Sequence, residues 1–282
     1  MIKSIAVLGA GQMGSGIAQV CAQAGYTVTV IDISSDQRDK SLNSISKSLD
    51  KLVSKSLVSA EDQRATLARL SFAETFPSGD FDLLIEAVTE NVELKSKLLT
   101  EASATLKPEA IITSNTSSIS LTQLAVRTNR PDKVIGMHFM NPVPLMKLVE
   151  VIRSLTTSDE TFSAIAGVIE TIGKTMVVSQ DAPGFIVNRI LMPMINEAIF
   201  TLHEGIATAE DIDTAMKLGT NQPMGPLALA DLIGLDTCLS IMQVLYDGFN
   251  DSKYRPCPLL KNYVAAGWLG RKSGRGFYCY NK

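Results

Sequence analysis

Two rhythms of apolar positions divide this chain. Up to about residue 180, short continuous apolar runs alternate with stretches in which apolar residues recur every three or four positions. Beyond that point only the second rhythm continues. The runs at 5–8, 27–31, 81–88, 110–114, 134–142, 147–152 and 174–179 predict strands. Between them, Ile17, Val20, Cys21 and Ala24 mark a helix stopped by Gly25, and Leu42, Ile45, Leu49, Leu52 and Val53 mark a second. A break at 56–60 separates that helix from a third over 60–70, so the crossover after the second strand holds a helical hairpin. Leu94, Leu98 and Leu99 mark the next helix, Ser120-Leu-Thr-Gln123 forms a capping box for another, and 161–172 is amphipathic. Asp181-Ala-Pro-Gly184 then interrupts the pattern and predicts a domain boundary, with 1–183 as one domain and 184–282 as the other. In the second domain, Leu191, Met192, Ile195, Ile199 and Leu202 stripe a helix over 185–203. Later helices start at Thr208 (Thr208-x-x-Asp211), Pro226, near Asp236 and at Pro258.

The first strand, helix and second strand carry a chemical signal. Gly9-Ala-Gly11-Gln12-Met13-Gly14 lies between strand and helix, and Asp32 ends the next strand. Gly9 permits a sharp turn, Gly11 lets a pyrophosphate approach the backbone, and Gly14 lets the helix lie close on the sheet. The helix N-terminus offers N–H groups and the positive end of its dipole to the phosphates. Asp32 is placed to bond the adenosine ribose hydroxyls and to repel a 2′-phosphate, so the expected cofactor is NAD and not NADP. The expected fold is α/β: a Rossmann-type, mostly parallel sheet domain followed by an all-α C-terminal domain.

Composition narrows the remaining choices. The 282 residues are 45% hydrophobic and 20% charged, which is ordinary globular usage. A net charge of −3 gives no basic field for nucleic acid or an anionic membrane, so neither is an expected partner. Cys21, Cys238, Cys257 and Cys279 are scattered, with no CxxC motif and no histidine pair nearby, so no metal site is expected and the thiols suit a reducing compartment. Met1-Ile2-Lys3 runs straight into the first strand, leaving no room for a signal peptide, and no run of about 18 apolar residues occurs. These features lead us to expect a cytoplasmic protein.

In a parallel sheet the carboxyl ends of the strands face the ligand crevice. Glu90 and Lys95 follow one strand, where they read either as cofactor contacts or as helix-start charges. Asn115 and Ser117 follow another; with Ser120 committed to the cap, they are left to face a ligand. His138 lies at the ligand-facing end of its strand, before Asn141-Pro142, whereas His203 suits a helix C-terminus. Glu150 shares an apolar strand face with Leu148 and Ile152, and a carboxylate there needs a partner, for which His138 is the candidate. Asn188 heads the apolar stripe of the 185–203 helix as either a core amide or a ligand contact. Lys47, Lys51 and Lys55 step along one helix face beside Ser48, either as a solvated face or as a platform for a phosphate-bearing tail. The basic tail 267–278 either reaches an anion or forms a solvated hairpin. A His backed by a Glu beside an NAD site suits hydride transfer coupled to proton transfer, since one imidazole can take the proton of an alcohol or supply that of a ketone.

Seven motifs in order then carry a resemblance: Gly9 to Gly14, Ser114-Asn-Thr-Ser-Ser118, Gly136-Met-His-Phe-Met-Asn-Pro142, Met146-Lys-Leu-Val-Glu-Val151, Pro183-Gly-Phe-Ile-Val-Asn-Arg189, Pro223-Met-Gly-Pro226 and Gly274-Arg-Gly-Phe-Tyr278. End to end, the chain resembles the L-3-hydroxyacyl-CoA dehydrogenases, and within them the bacterial 3-hydroxybutyryl-CoA type. The resemblance implies a catalytic His138 with its partner Glu150, and substrate contacts at Ser117 and Asn188. It implies cofactor contacts at Asp32, Glu90, Lys95, Asn115, Ser117, Asn141 and Lys272 besides the glycine loop with Gln12 and Met13. It implies coenzyme A contacts at Ser48 and Lys55, an acyl-CoA thioester substrate, and a homodimer or higher homo-oligomer built on the second domain. Two other readings are a dehydrogenase of a free hydroxy acid and a catalytically silent NAD binder.

Overall fold

The computed structural model describes residues 2–76 and 80–280, and the chain divides into two compact units, Met1–Ala182 and Pro183–Lys282. In the first unit the elements run β1 (Ser4–Leu8), α1 (Gln12–Gln23), β2 (Thr27–Ile31), α2 (Ser35–Ser54), α3 (Ala60–Ala68), β3 (Leu70–Ala73) and β4 (Leu83–Glu86). They continue with α4 (Val92–Thr105), β5 (Ile111–Ser114), α5 (Leu121–Ala125), β6 (Val134–Phe139), β7 (Leu148–Arg153), α6 (Asp159–Thr171) and β8 (Thr175–Gln180).

The strands form one sheet in the order β3-β2-β1-β4-β5-β6-β7-β8. Every neighbouring pair is parallel except β6 and β7, which run antiparallel. The chain moves outward from β1 in both directions, so the order reverses between β1 and β4, and the crevice at their carboxyl ends is where such sheets bind ligands. The central strands are buried on both faces, which explains their unbroken apolar runs: Ile5, Ala6, Val7, Leu83, Leu84 and Ile85 are all 0% exposed. Each such large side chain contributes about 1.5–3 kcal/mol relative to exposure.

One strand escaped the pattern. The expected third helix over 60–70 ends at Ala68, and Leu70–Ala73 adds β3 in parallel to β2. Four residues at a sheet edge carry too short an alternation to stand out, and Leu70 also continues the helical spacing before it. Only Leu70 and Phe72 pack on the core.

The second unit is helical: α7 (Val187–His203), α8 (Ala209–Thr220), α9 (Pro226–Ile233), α10 (Leu235–Phe249) and α11 (Pro258–Ala265). Thr208 caps α8 by accepting from Asp211 N–H at 3.2 Å, as its spacing predicted. Met192, Ile195 and Ile199 of the α7 stripe pack with Leu227, Leu235, Met242 and Leu245. Asp213, 4% exposed, accepts from the N–H groups of Leu227 and Ala228 at the start of α9. Among the described residues no single helix is long and apolar enough to cross a membrane.

Candidate active site

The glycine turn leaves β1 at the crevice. Gly9 adopts φ +105, and a Cβ there would lie 2.8 Å from the carbonyl oxygen of Ala87, so only glycine fits between β1 and the end of β4. Gly11, at the N-cap of α1, supplies no side-chain cap, and a Cβ on it would meet nothing within 4 Å. The turn therefore presents backbone and open space where a pyrophosphate needs both. Asp32 stands beside it, with one carboxylate oxygen accepting from Ala10 N–H and the other from Ser34 N–H, each at 2.9 Å. The carboxylate thus ties the glycine turn to the β2 terminus. Gln12 donates to Asn141 Oδ1 at 3.1 Å, which brings two expected cofactor residues together.

Glu90, Lys95, Asn115 and Ser117 also converge, around a residue the sequence reading passed over. Glu86, the last residue of β4, is 0% exposed and lies opposite Leu8 and Ser114 in the sheet. Its Oε1 accepts from Lys95 Nζ and from Val88 N–H, both at 2.7 Å, while Oε2 accepts from Ser114 Oγ at 2.5 Å. Lys95 is no surface charge at a helix start: it is 1% exposed, donates to Val88 O and lies 3.4 Å from Glu90 Oε2. Glu90 Oε1 in turn accepts from Thr116 Oγ1 at 2.5 Å, from Ser117 N–H at 2.9 Å and from Ser118 N–H at 3.1 Å. Burial pushes the Glu90 carboxyl up, but the Lys95 charge and the hydrogen bonds from Thr116, Ser118 and Ser117 outweigh it, and the group is held below the usual carboxylate range. The signal that could have revealed Glu86 is the one used for Glu150, a lone carboxylate in an apolar strand run.

Asn115 and Ser117 were expected to be left for a ligand; the structure gives both internal work. Asn115 Oδ1 accepts from Phe139 N–H at 2.8 Å, linking β5 to β6, and Ser117 Oγ lies 3.3 Å from Glu90. Asp181 shares the cap of α5 with Ser120, accepting from Ser120 Oγ and from the N–H groups of Leu121 and Thr122.

His138 and Glu150 meet as their strands require. The antiparallel register sets them directly opposite, on the same face, with Nδ1 and Oε2 2.7 Å apart. His138 is 7% and Glu150 0% exposed. A carboxylate accepts only, so Nδ1 is the donor in this contact.

The remaining expected residues fall into three groups. Lys47, Lys51 and Lys55 are exposed along α2 and its C-cap, Ser48 is half-buried among them, and none of the three lysines forms an ion pair among the described residues. Asn188, 8% exposed, sits in the first turn of α7. The tail spends its cations internally: Lys272 pairs with Asp236 at 2.5 Å, Arg275 stacks 3.5 Å over Trp268, and Asp231 accepts from Phe277 and Tyr278 N–H.

The reversed sheet order, the glycine turn and the strand-end carboxylate define a dinucleotide-binding oxidoreductase. Two family models match the chain: the 3-hydroxyacyl-CoA dehydrogenase NAD binding domain over residues 4–182, and the C-terminal domain over 184–280. The chain is 57% identical to a 3-hydroxybutyryl-CoA dehydrogenase of Bradyrhizobium diazoefficiens, over 99% of this chain and 96% of that one. It is 48% identical to a 3-hydroxybutyryl-CoA dehydrogenase of Clostridioides difficile, over 99% of both. The crystal structure of (S)-3-hydroxybutyryl-CoA dehydrogenase from Ralstonia eutropha superposes with a TM-score of 0.97 at 50% identity, over 100% of each chain. The chain therefore belongs to the 3-hydroxyacyl-CoA dehydrogenase family, whose members are NAD-dependent dehydrogenases.

Proposed function

We propose that the chain catalyses the reversible NAD-dependent oxidation of short-chain (S)-3-hydroxyacyl-CoA to 3-oxoacyl-CoA, interconverting 3-hydroxybutyryl-CoA and acetoacetyl-CoA. The observation that carries this reading is the buried His138–Glu150 pair at 2.7 Å. NAD, when bound, supplies the acceptor for the hydride leaving the carbinol carbon. The glycine turn with Gln12 and Met13, together with Asp32, Glu90, Asn115, Asn141 and Lys272, forms its site in this reading; Lys95 serves that site from behind Glu90.

During oxidation His138 Nε2 takes the hydroxyl proton; during reduction the protonated ring returns it to the carbonyl oxygen. Glu150 fixes the ring's tautomer and stabilises the imidazolium formed in the forward direction. Ser117 and Asn188 are assigned to the substrate oxygen on the motifs that carry them, to hold donor and acceptor carbons at about 3–3.5 Å. The lysines of α2 support a coenzyme A contact at Ser48 and Lys55, because none of them has, among the described residues, the acidic partner that a salt-bridged face would carry. Exposed Ile190, Ile206 and Leu218 support self-association through the helical unit, which light scattering on the purified protein measures.

The test is NADH oxidation with acetoacetyl-CoA against free acetoacetate, with NADPH as control. Fast turnover with the thioester, little with the acid, and loss of at least about a hundredfold in His138→Ala are expected. Near-normal turnover in His138→Ala refutes the acid/base assignment; turnover only with the free acid refutes the coenzyme A reading. Lys55→Ala separates the same readings, since it raises KM for acetoacetyl-CoA and leaves NADH binding unchanged only if the tail of the substrate lies on α2.

A further inference from the structure

The loop that carries Ser117 is held from two sides, and both holds lead back to one carboxylate. On the strand side, Glu86 Oε2 accepts from Ser114 Oγ at 2.5 Å, and Ser114 Oγ accepts from Thr116 N–H at 3.2 Å. On the helix side, Glu86 Oε1 accepts from Lys95 Nζ at 2.7 Å, and that ammonium faces Glu90 Oε2 at 3.4 Å. Glu90 presents its other oxygen to Thr116, Ser117 and Ser118. We infer that Glu86 is a positioning residue for the reaction, setting the place of Ser117 through Ser114 on one side and through Lys95 and Glu90 on the other.

The physical reason lies in what the ammonium would do without it. Lys95 has two carboxylates within reach, and Glu86 draws its Nζ 0.7 Å closer than Glu90 does, from 3.4 to 2.7 Å. So long as Glu86 holds the cation at the end of β4, Glu90 keeps one oxygen for Lys95 and the other for the loop. Without that hold the ammonium moves onto Glu90 and competes with the loop for the same carboxylate. Glu86 lies between β1 and β5, in the most constrained part of the sheet, and so gives the loop a fixed reference that an exposed residue would not. Lys95, enclosed at 1% exposure, acts in the cofactor site through Glu90 and not by touching the ligand itself.

This inference rests on the assignment of Ser117 to substrate, and Glu86→Gln tests it with two independent readouts. Amide hydrogen exchange across 113–120 reports the loop without any substrate, and steady-state kinetics with acetoacetyl-CoA and NADH report the reaction. Exchange at the Ser117 and Ser118 amides is expected to rise at least about tenfold, since both N–H groups lose a firm acceptor. The kcat is expected to fall about 10- to 100-fold with KM changed less than about twofold, the signature of misplacement and not of lost binding. Unchanged exchange at those amides together with unchanged kcat overturns the inference. If Glu86→Gln does not fold, Glu86→Asp keeps Lys95 and a buried negative charge but draws the carboxylate back by one methylene from Lys95 and Ser114. Protected amides and normal kcat in that protein also overturn the inference. A wild-type protein that ignores acetoacetyl-CoA refutes the substrate assignment, and the exchange measurement still decides whether Glu86 holds the loop.

Discussion

Replacing Glu150 by Gln isolates what its charge contributes. Gln has nearly the same shape, and its carbonyl oxygen can still accept from Nδ1–H of His138, so the ring keeps its place in the sheet. The negative charge opposite the imidazolium is lost. The contact is short, 2.7 Å, and Glu150 is 0% exposed, so water screens little of it. A hydrogen bond to a charged group is worth about 1.5–3 kcal/mol. That interaction strengthens as the ring gains its proton, so most of it falls on the transition state and corresponds to a loss of about 10- to 100-fold in kcat. The assay is NADH formation from 3-hydroxybutyryl-CoA at saturating substrate and NAD, with the thermal midpoint measured on the same preparation. KM is expected to stay within about twofold, because no substrate contact is removed. A Glu150→Gln enzyme with wild-type kcat would refute the reasoning, whatever its stability.

Three further outcomes are expected. Asp32→Ser removes the carboxylate that braces Ala10 N–H and that we assign to the cofactor ribose, so NADH affinity should drop by at least about tenfold while NADPH affinity rises; fluorescence titration of both measures this. Gly14→Ala places a Cβ 1.8 Å from the carbonyl oxygen of Gly9, a clash with backbone that cannot swing away, so urea unfolding should show a loss of at least about 1–3 kcal/mol together with weakened NADH binding. Burial raises the Asp82 carboxyl, but hydrogen bonds from Lys107 and from Ser4 and Lys3 N–H, with the Lys107 charge, overcome this and leave it below the usual range. Its contribution is therefore present above the unfolded carboxylate value of about 4 and is lost as pH falls through the lower folded one. Urea midpoints of Asp82→Asn and wild type should accordingly differ at neutral pH and converge in strong acid; a constant difference would refute it.

Much of this was legible in the residues alone. The βαβ unit announced itself because strand, glycine turn, helix and acid each obey a separate rule and fall in order. His138 and Glu150 were pairable because an ionisable side chain on an apolar strand face has few ways to be satisfied. What escaped was of two physical kinds. Leu70–Ala73 is too short for periodicity to separate from the helix before it. The Glu86–Lys95–Glu90 cluster depends on strand neighbours far apart in sequence, and a lysine near a helix start gives no local hint that it is buried. Asn115 and Ser117 were located but their internal partners were not, since Phe139 N–H and Glu90 reach them only through the order of the strands.

The single antiparallel joint in the sheet has a consequence for how this chain can vary. Two side chains on a flexible connection are separated by a fluctuating distance, whereas two residues facing each other across an antiparallel ladder are separated by a constant of β-geometry. The pleat acts as a ruler with two-residue graduations, and sliding β7 by a single residue, half a graduation, would turn Glu150 to the opposite face of the sheet. The stretch between β6 and β7 is thereby relieved of any duty to hold the pair. Apart from Asn141 and the buried Val143, its composition can change without disturbing the pair, while the ladder behind it keeps His138 and Glu150 in register.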